Sequence, residues 1–337
     1  MSELDNAAAS GLHTVGARAK VLLVGLGNAG MLYDSHPRRG EPVLSHAGAF
    51  SAHARFELVA GVDPIEERRE LFAMRYAASV FSDVREAASA TQPDVAVVAS
   101  PTDLRVEHVR TILEVSRPAV ILCEKPLAWS PGDAQNILDL CATAHCRLLV
   151  NYQRRVEPDA NAAHAIFVAQ PSEFPFRGVC WYSKGALHSA SHFVDLLTFW
   201  FGRPVRAAVM RPPVRYGVHD AELDFRLTFP GGDVTFLSVG TDQTPVYRLE
   251  LISSSGDLRY DGASNRYRWQ PLHQQQMARL TSEDGVLENS TSGAFLEVAH
   301  AVARTLDGEM TDLCDGESAS ENISLLSELM FAEGNPG

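Results

Sequence analysis

The feature that most constrains the fold is a short apolar strand running into a glycine-rich turn, VLLVGLGNAG at residues 21–30. Its glycines match the G-x-G-x-x-G pattern, in which the first permits a tight turn, the second admits a pyrophosphate to the backbone and the third lets a helix pack closely on the strand. The N-terminus of that helix then faces the phosphates. A merely glycine-rich turn is the alternative reading. The residues predicted to hold a dinucleotide here are Gly25, Gly27, Asn28, Ala29 and Gly30.

The second predicted strand supports the dinucleotide reading. It ends in Asp63, followed by Pro64, where a carboxylate would accept the ribose hydroxyls. This carboxylate would repel a 2'-phosphate, so NAD is favoured over NADP. Arg68 and Arg69 weaken this preference for NAD, since such sites accept the 2'-phosphate of NADP with an arginine. The alternative is that both arginines lie on an exposed helix face.

The distance from the glycine-rich turn to Asp63 exceeds the usual spacing of about 20 residues. The stretch 31–50, MLYDSHPRRGEPVLSHAGAF, is therefore predicted to be an insertion that extends the first helix connection. We expect it to cap either the cofactor or the substrate.

Strands and helices alternate in the first half of the chain, which predicts a doubly wound parallel sheet covered by helices. The predicted strands are residues 20–25, 56–63, 95–100, 119–125 and 147–152, and the predicted helices are 66–77, 105–115 and 132–145. This defines an N-terminal dinucleotide-binding Rossmann domain over 20–155, preceded by a flexible tail at 1–19.

After residue 155 the pattern changes to longer strands and hairpins. AELDFRLTF at 221–229 alternates apolar and polar residues, and PGGD at 230–233 turns it into a second strand, which predicts an antiparallel sheet. We assign 156–337 to a second α/β domain for substrate binding and oligomerisation. Its late helical segments, 293–306 and 320–332, are expected to pack back onto the fold.

Bulk properties narrow the class of protein. A net charge of -13 argues against binding nucleic acid, which rests on clustered Lys and Arg. The five cysteines form no CxxC pair, so reduced thiols and no metal knuckle are expected. The N-terminus lacks the features of a secretory signal, and apolar runs fall short of the roughly 20 residues that span a bilayer. We expect a cytoplasmic protein with a small-molecule partner.

Three further motifs make the chain recognisable: Glu124-Lys125-Pro126, NYQRR at 151–155, and G-x-x-H-x-x-x-H-x-x-D at 185–195. Together they resemble the Gfo/Idh/MocA family of NAD(P)-dependent oxidoreductases over roughly residues 20–330. The resemblance implies a Rossmann domain followed by an α/β domain whose open, mostly antiparallel sheet commonly forms homodimers or homotetramers.

The resemblance also implies site residues. Lys125 would lie beside the nicotinamide and the reacting hydroxyl, where an ammonium stabilises an alkoxide; the alternative is a surface lysine before a proline. Arg154 matches a position that contacts cofactor or substrate in the sugar and polyol members; a structural ion-pairing role explains Arg154 and its neighbour Arg155 equally well. Arg105 departs from the family pattern and receives no role. Further residues implied to contact cofactor or substrate are Ser100, Pro101, Thr102, Glu124 and Gln153.

His188 and His192 lie four residues apart in a predicted amphipathic helix, 189–201, with Ser189 as its N-cap. A zinc site would need a third ligand at suitable spacing, and none stands there, so no metal is predicted; core packing is the other alternative. By resemblance His192 is the general base, and His188 replaces a family aspartate that partners it. Tyr182 and Lys184 are candidate substrate contacts, with ordinary sheet positions as the alternative, and Asp195 is predicted to be structural.

We therefore predict an NAD-dependent dehydrogenase or reductase acting on a secondary alcohol of a sugar, polyol or sugar derivative. His192 would take the hydroxyl proton, Lys125 would stabilise the alkoxide, and the hydride would pass to the nicotinamide. One alternative is an enzyme that uses tightly bound NAD transiently during glycoside cleavage. The other is a non-catalytic NAD-binding sensor or repressor, against which the presence of both side chains counts.

Overall fold

The computed structural model of the chain describes residues 18–35, 42–169, 175–240, 245–271, 285–286 and 293–332. The N-terminal sheet has six parallel strands in the order β3-β2-β1-β4-β5-β6. The strands are β1 (Ala19–Val24), β2 (Phe56–Val62), β3 (Ser79–Phe81), β4 (Val95–Val98), β5 (Val120–Cys123) and β6 (Arg147–Val150). This order reverses between β1 and β4, which places a ligand crevice at the carboxyl ends of those two strands.

Helices cover both faces of this sheet, so its central strands are apolar on both sides. All four residues of β4 and of β5 are buried, as a parallel sheet requires. The helices of the domain are α1 (His46–Ala52), α2 (Glu66–Tyr76), α3 (Val84–Thr91), α4 (Arg105–Val115) and α5 (Pro131–Thr143). The predicted doubly wound sheet is confirmed; β3 and α3 were not predicted.

The predicted insertion at 31–50 interrupts the first helix of the domain. Instead of a long helix, a 3-10 turn, Leu32–Asp34, follows the glycine-rich loop. The chain then returns to begin α1, where the amides of His46 and Ala47 donate to the carbonyls of Ala29 and Gly30 at 2.9 Å. Asp34 accepts hydrogen bonds from the Leu44 amide and the Ser45 hydroxyl and thereby joins the two ends. Residues 36–41 lie outside the described part.

The second domain is built on an eight-stranded sheet in the order β14-β13-β12-β11-β7-β10-β9-β8. All its pairs are antiparallel except β7 with β10, so the predicted mostly antiparallel sheet is confirmed. Its strands are β7 (Phe176–Tyr182), β8 (Arg206–Tyr216), β9 (Asp220–Phe229), β10 (Gly232–Ser238), β11 (Tyr247–Ile252), β12 (Gly256–Asp261), β13 (Arg266–Pro271) and β14 (Gly285–Val286).

Four helices complete the fold: α6 (Pro158–Ala169), α7 (Ser191–Phe201), α8 (Ala294–Leu306) and α9 (Gly316–Phe331). α8 returns to the first domain, where Val298 and Val302 share a buried cluster with Val21 and Leu23 of β1. α9 packs against α5 and α7 and so touches both domains. The tail predicted at 1–19 lies almost wholly outside the described residues.

Candidate active site

The glycine-rich loop has the shape that a dinucleotide pyrophosphate needs. A side chain on Gly25, whose φ is +93°, would come within 2.6 Å of the Ser100 amide nitrogen, and one on Gly30 would come within 2.0 Å of the Gly25 carbonyl. A side chain on Gly27 would meet no atom within 4 Å, so the space before it is open. The residues therefore fit the phosphates of a dinucleotide, with Asn28 and Ala29 forming the intervening turn. The helix expected directly behind the loop is replaced by a 3-10 turn, because the insertion interrupts it.

Asp63 holds this loop against β2. Its carboxylate, 3% exposed, accepts the Leu26 amide at 2.9 Å and the Ile65 amide at 3.0 Å. Arg68 approaches the same carboxylate at 3.3 Å, while Arg69 donates to the Asp63 and Pro64 carbonyls. The two arginines are thus tied to the end of β2, and Arg68 offsets part of the negative charge with which Asp63 would repel a 2'-phosphate.

Glu124, at the end of β5, sits in a network that the sequence analysis did not find. Its Oε1 lies 2.8 Å from His46 Nε2 and 2.7 Å from Asn151 Nδ2. Burial alone would raise the pKa of this carboxyl, but the hydrogen bonds to His46 and Asn151 and the nearby Lys125 lower it to about 2. Glu124 is therefore charged at neutral pH. His46 comes from the first turn of α1, so the segment predicted as an insertion contributes a residue to the site.

Lys125 follows directly, and its ammonium donates to the His188 carbonyl at 2.8 Å. This contact joins the two domains. Burial lowers the pKa of Lys125 to about 8, with Glu124 opposing the shift and the Arg105 and Arg154 guanidinium groups adding to it. A lysine with its pKa near neutral is suited to exchange or share a proton with a substrate oxygen.

The segment carrying the two histidines differs from the predicted helix. A π-helical turn, Ala186–Ala190, precedes α7, which begins at Ser191. Ser189 is not the N-cap: its hydroxyl donates to the Lys184 carbonyl and contacts the Tyr247 hydroxyl. Wide turns of this kind are frequent at functional sites.

Carboxylates of β9 hold this π-helical turn, which explains why the helix starts late. Asp220 accepts the Leu187 amide at 3.0 Å and the His188 amide at 2.8 Å. Glu222 accepts the Lys184 amide at 2.7 Å. Acidic residues alternate with apolar ones along β9, and this alternation by itself predicts a strand but not the role of the carboxylates.

His188 and His192 are both neutral at physiological pH. His188 is exposed at one edge, yet the surrounding protein atoms and the charges of Lys125 and Lys184 lower its pKa to about 4. Burial, followed by the charge of Lys125, holds the pKa of His192 well below its ordinary value of 6.5. The His192 ring packs edge-on against Tyr152 and Tyr247, and its buried Nδ1 has no hydrogen-bond partner among the described residues. A neutral imidazole with a free ring nitrogen is able to accept a proton.

The two arginines of NYQRR differ in role. Arg155 forms a bidentate ion pair with Asp195 of α7, at 2.7 and 2.8 Å, which supports a structural role for Arg155 and for Asp195. Arg154 lies over the Phe193 and Tyr260 rings and approaches Glu157 at 3.7 Å, while its charge lowers the pKa of both Lys125 and His192.

Two polar side chains, one at the end of β4 and one after β6, have contrasting surroundings. Gln153 Oε1 is buried without a partner among the described residues, which leaves an acceptor for a bound group. The Ser100 hydroxyl, by contrast, is hydrogen-bonded to His108 Nδ1 at 2.8 Å. Pro101 and Thr102 follow Ser100 and open a 3-10 turn at the carboxyl end of β4, where the crevice lies.

Arg105, which received no role from the sequence, is buried and links two loops through hydrogen bonds. Its guanidinium donates to the carbonyls of Ser100, Pro126 and Leu127 and so ties the end of β4 to the loop after Lys125.

Tyr182 does not reach the site. Its hydroxyl donates to the Leu223 carbonyl at 2.6 Å and accepts the Leu223 amide at 3.0 Å, and the ring is fully buried in the sheet. The prediction that Tyr182 contacts substrate is therefore wrong, and Tyr182 occupies an ordinary position in the sheet. Lys184, with φ +68°, lies close enough to His188 for its charge to lower the pKa of that ring.

The part of the chain that the structure describes contains no group of three or more His, Cys, Asp or Glu side chains able to hold a metal ion. Within the same residues, no helix is both long and apolar enough to cross a membrane.

The fold and the loop geometry are those of a Rossmann domain, and polar groups gather at the junction with the second domain. Residues 19–152 match the model of the Gfo/Idh/MocA oxidoreductase family, NAD-binding Rossmann fold. This match confirms the resemblance to the Gfo/Idh/MocA oxidoreductases for the N-terminal domain.

Individual relatives agree with this class. D-glucoside 3-dehydrogenase of Escherichia coli is 33% identical over 95 residues, which are 28% of this chain and 26% of that protein, so the match spans about a quarter of the relative.

Solved structures extend the fold likeness to both domains. UDP-N-acetylglucosamine 3-dehydrogenase GnnA from Acidithiobacillus ferrooxidans has a TM-score of 0.72 at 15% identity, covering 94% of this chain and 98% of that one. The WlbA dehydrogenase from Bordetella pertussis, solved with NADH and UDP-GlcNAcA, has a TM-score of 0.71 at 16% identity, covering 93% and 97%.

Proposed function

We propose that this oxidoreductase transfers a hydride between NAD and a secondary alcohol or ketone of a sugar or sugar derivative. The observation that carries the proposal is the Lys125 ammonium, which is held on the His188 carbonyl beside two neutral imidazoles. The relatives named for sugar dehydrogenases support a sugar as the substrate class. Overall, R₂CH–OH and NAD⁺ give R₂C=O, NADH and a proton.

In the oxidative direction His192 accepts the hydroxyl proton while Lys125 donates a hydrogen bond to the developing alkoxide. When bound, the nicotinamide supplies the hydride acceptor. Gly25 to Gly30 would hold the pyrophosphate, and Asp63 favours NAD, since its carboxylate would repel the 2'-phosphate of NADP. Gln153 Oε1 and Glu124 are the acceptors that would orient the cofactor or the substrate hydroxyls.

We further propose that the protein works in the cytoplasm as a homodimer or homotetramer, without nucleic-acid or membrane partners. The face of the second sheet on which Trp181 lies supports self-association, because Trp181 is 38% exposed and pairs across strands with the half-buried Leu237. Light scattering should give a mass at least twice 36.7 kDa; a monomer mass at micromolar concentration would contradict this proposal.

The function is tested by the absorbance of NADH formed when purified protein is mixed with NAD and a panel of methyl glycosides, polyols and nucleotide sugars. We expect at least one sugar to reduce NAD, and Lys125→Met to lose about 10²- to 10⁴-fold in turnover while retaining NAD. Lys184→Met is the matched control, with a smaller loss. Unchanged turnover in Lys125→Met would remove Lys125 from the mechanism.

A further inference from the structure

A cavity of about 620 Å³ opens at the domain junction and is not used by the chemistry proposed above. It is lined by the 102–106 segment, the 128–133 segment, the β8–β9 hairpin at 213–221 and the end of α9 at 330–331. This volume lies in the range of small-molecule sites. We call it the Trp129 cavity.

The Trp129 cavity shares residues with the candidate active site. Thr102 belongs to the turn at the carboxyl end of β4, and Trp129 is four residues beyond Lys125. Asp220, a third lining residue, is the carboxylate that holds the His188 amide. A substrate whose reacting carbon lay beside Lys125 would therefore extend its remaining part into this cavity.

The chemistry of the walls indicates what that part is. The Trp129 and His219 rings lie 5.8 Å apart and within 18° of parallel. Such planar surfaces suit the C–H face of a pyranose ring. The exposed carboxylates of Asp103 and Asp133 are acceptors for sugar hydroxyls.

The charges argue against a nucleotide diphosphate in this place. Among the described lining residues, Asp103, Asp133 and Asp220 carry carboxylates, whereas Arg215 is the sole guanidinium and His219 the sole imidazole. A diphosphate would meet net repulsion from this lining. The repulsion does not affect a neutral glycoside.

We propose that the Trp129 cavity binds a second sugar ring, so that the substrate is a neutral glycoside of two rings. This inference rests on the proposed function for its reacting ring. It separates this chain from structural neighbours named for UDP-sugars, whose overall fold it shares.

Calorimetric titration of the NAD-loaded protein tests the proposal with four probes: methyl β-D-glucoside, methyl β-cellobioside, methyl α-maltoside and UDP-glucose. We expect one of the two disaccharides to bind about tenfold more tightly than methyl β-D-glucoside, and more tightly than UDP-glucose. Trp129→Ala should abolish that gain and change methyl glucoside binding by no more than about twofold. Met310→Ala, which removes an exposed apolar side chain outside the cavity, is the control and should retain the gain.

Trp129→Phe and His219→Ala provide a second readout if Trp129→Ala fails to fold. Trp129→Phe should keep most of the preference for the disaccharide, and His219→Ala should weaken that preference. Equal binding of one-ring and two-ring glycosides, tighter binding of UDP-glucose, or no binding of any sugar by protein that binds NAD would overturn the proposal. Trp129-dependent disaccharide binding without NADH formation would leave the cavity assignment standing and refute the proposed function.

Discussion

The pH dependence of turnover provides a detailed test of the role given to Lys125. Its pKa of about 8 lies well below the ordinary 10.5 because the side chain is buried and two guanidinium groups are near. The sign follows directly: the ammonium is present below about pH 8 and is lost above it. His192 stays neutral throughout this range, since its pKa lies well below 6.5.

If the ammonium is required, kcat/KM for sugar oxidation approaches a fall of about tenfold per pH unit above the pKa, and at pH 10 it is about 100-fold below its plateau at low pH. Initial rates of NADH formation at saturating NAD, measured in steps from about pH 6 to pH 10, give this profile.

Lys125→Arg replaces the titrating ammonium with a guanidinium that stays charged. Whatever rate this variant retains should show no descending limb near pH 8. Lys184→Arg is the matched control and should keep the native profile. A native profile that stays flat to pH 10, or a descending limb that persists unchanged in Lys125→Arg, would refute the reasoning.

Two further predictions concern the groups around Lys125. Glu124 has its pKa lowered from 4.5 to about 2 and is 12% exposed, so it contributes about 3 kcal/mol to stability above pH 4.5, and this is lost as the pH falls toward 2. Urea unfolding measures the free energy of unfolding at pH 6 and at about pH 3. This free energy should fall less in Glu124→Gln than in the native protein or in the control Glu114→Gln, which changes an exposed carboxyl. Equal falls in all three proteins would count against the contribution of Glu124. Asp220→Asn should lower turnover about tenfold and leave NAD affinity unchanged, because it loosens the turn that holds the His188 carbonyl. Steady-state kinetics and calorimetric NAD binding check this prediction. Native turnover in the variant would show that the turn keeps its geometry without Asp220.

The first domain was predictable because its signals are local. β1 with its glycine-rich loop, the carboxylate after β2 and the helical periodicities each fit a short window of sequence. The three-residue strand β3 escaped because its length is below what alternation reveals.

The site was less predictable because its support comes from distant residues. His46 meets Glu124 from 78 positions away, and Asp220 holds the His188 amide from 32 positions away. Neither partnership has a local sequence signature. The predicted start of α7 was wrong for the same reason. Ser189 is an acceptable N-cap by sequence, but the carboxylates of β9 accept hydrogen bonds from the backbone amides that precede α7.

The measurement that tests the central claim most directly uses methyl D-glucoside carrying deuterium on every ring carbon, incubated with NAD and the purified protein. If another panel sugar is the one oxidised, its fully deuterated form is used instead. Mass spectrometry of the reduced cofactor should show one deuterium per NADH formed, whichever ring carbon is oxidised. Reduced cofactor without deuterium, or a native protein that binds NAD and leaves every panel sugar unoxidised, would contradict hydride transfer at this site.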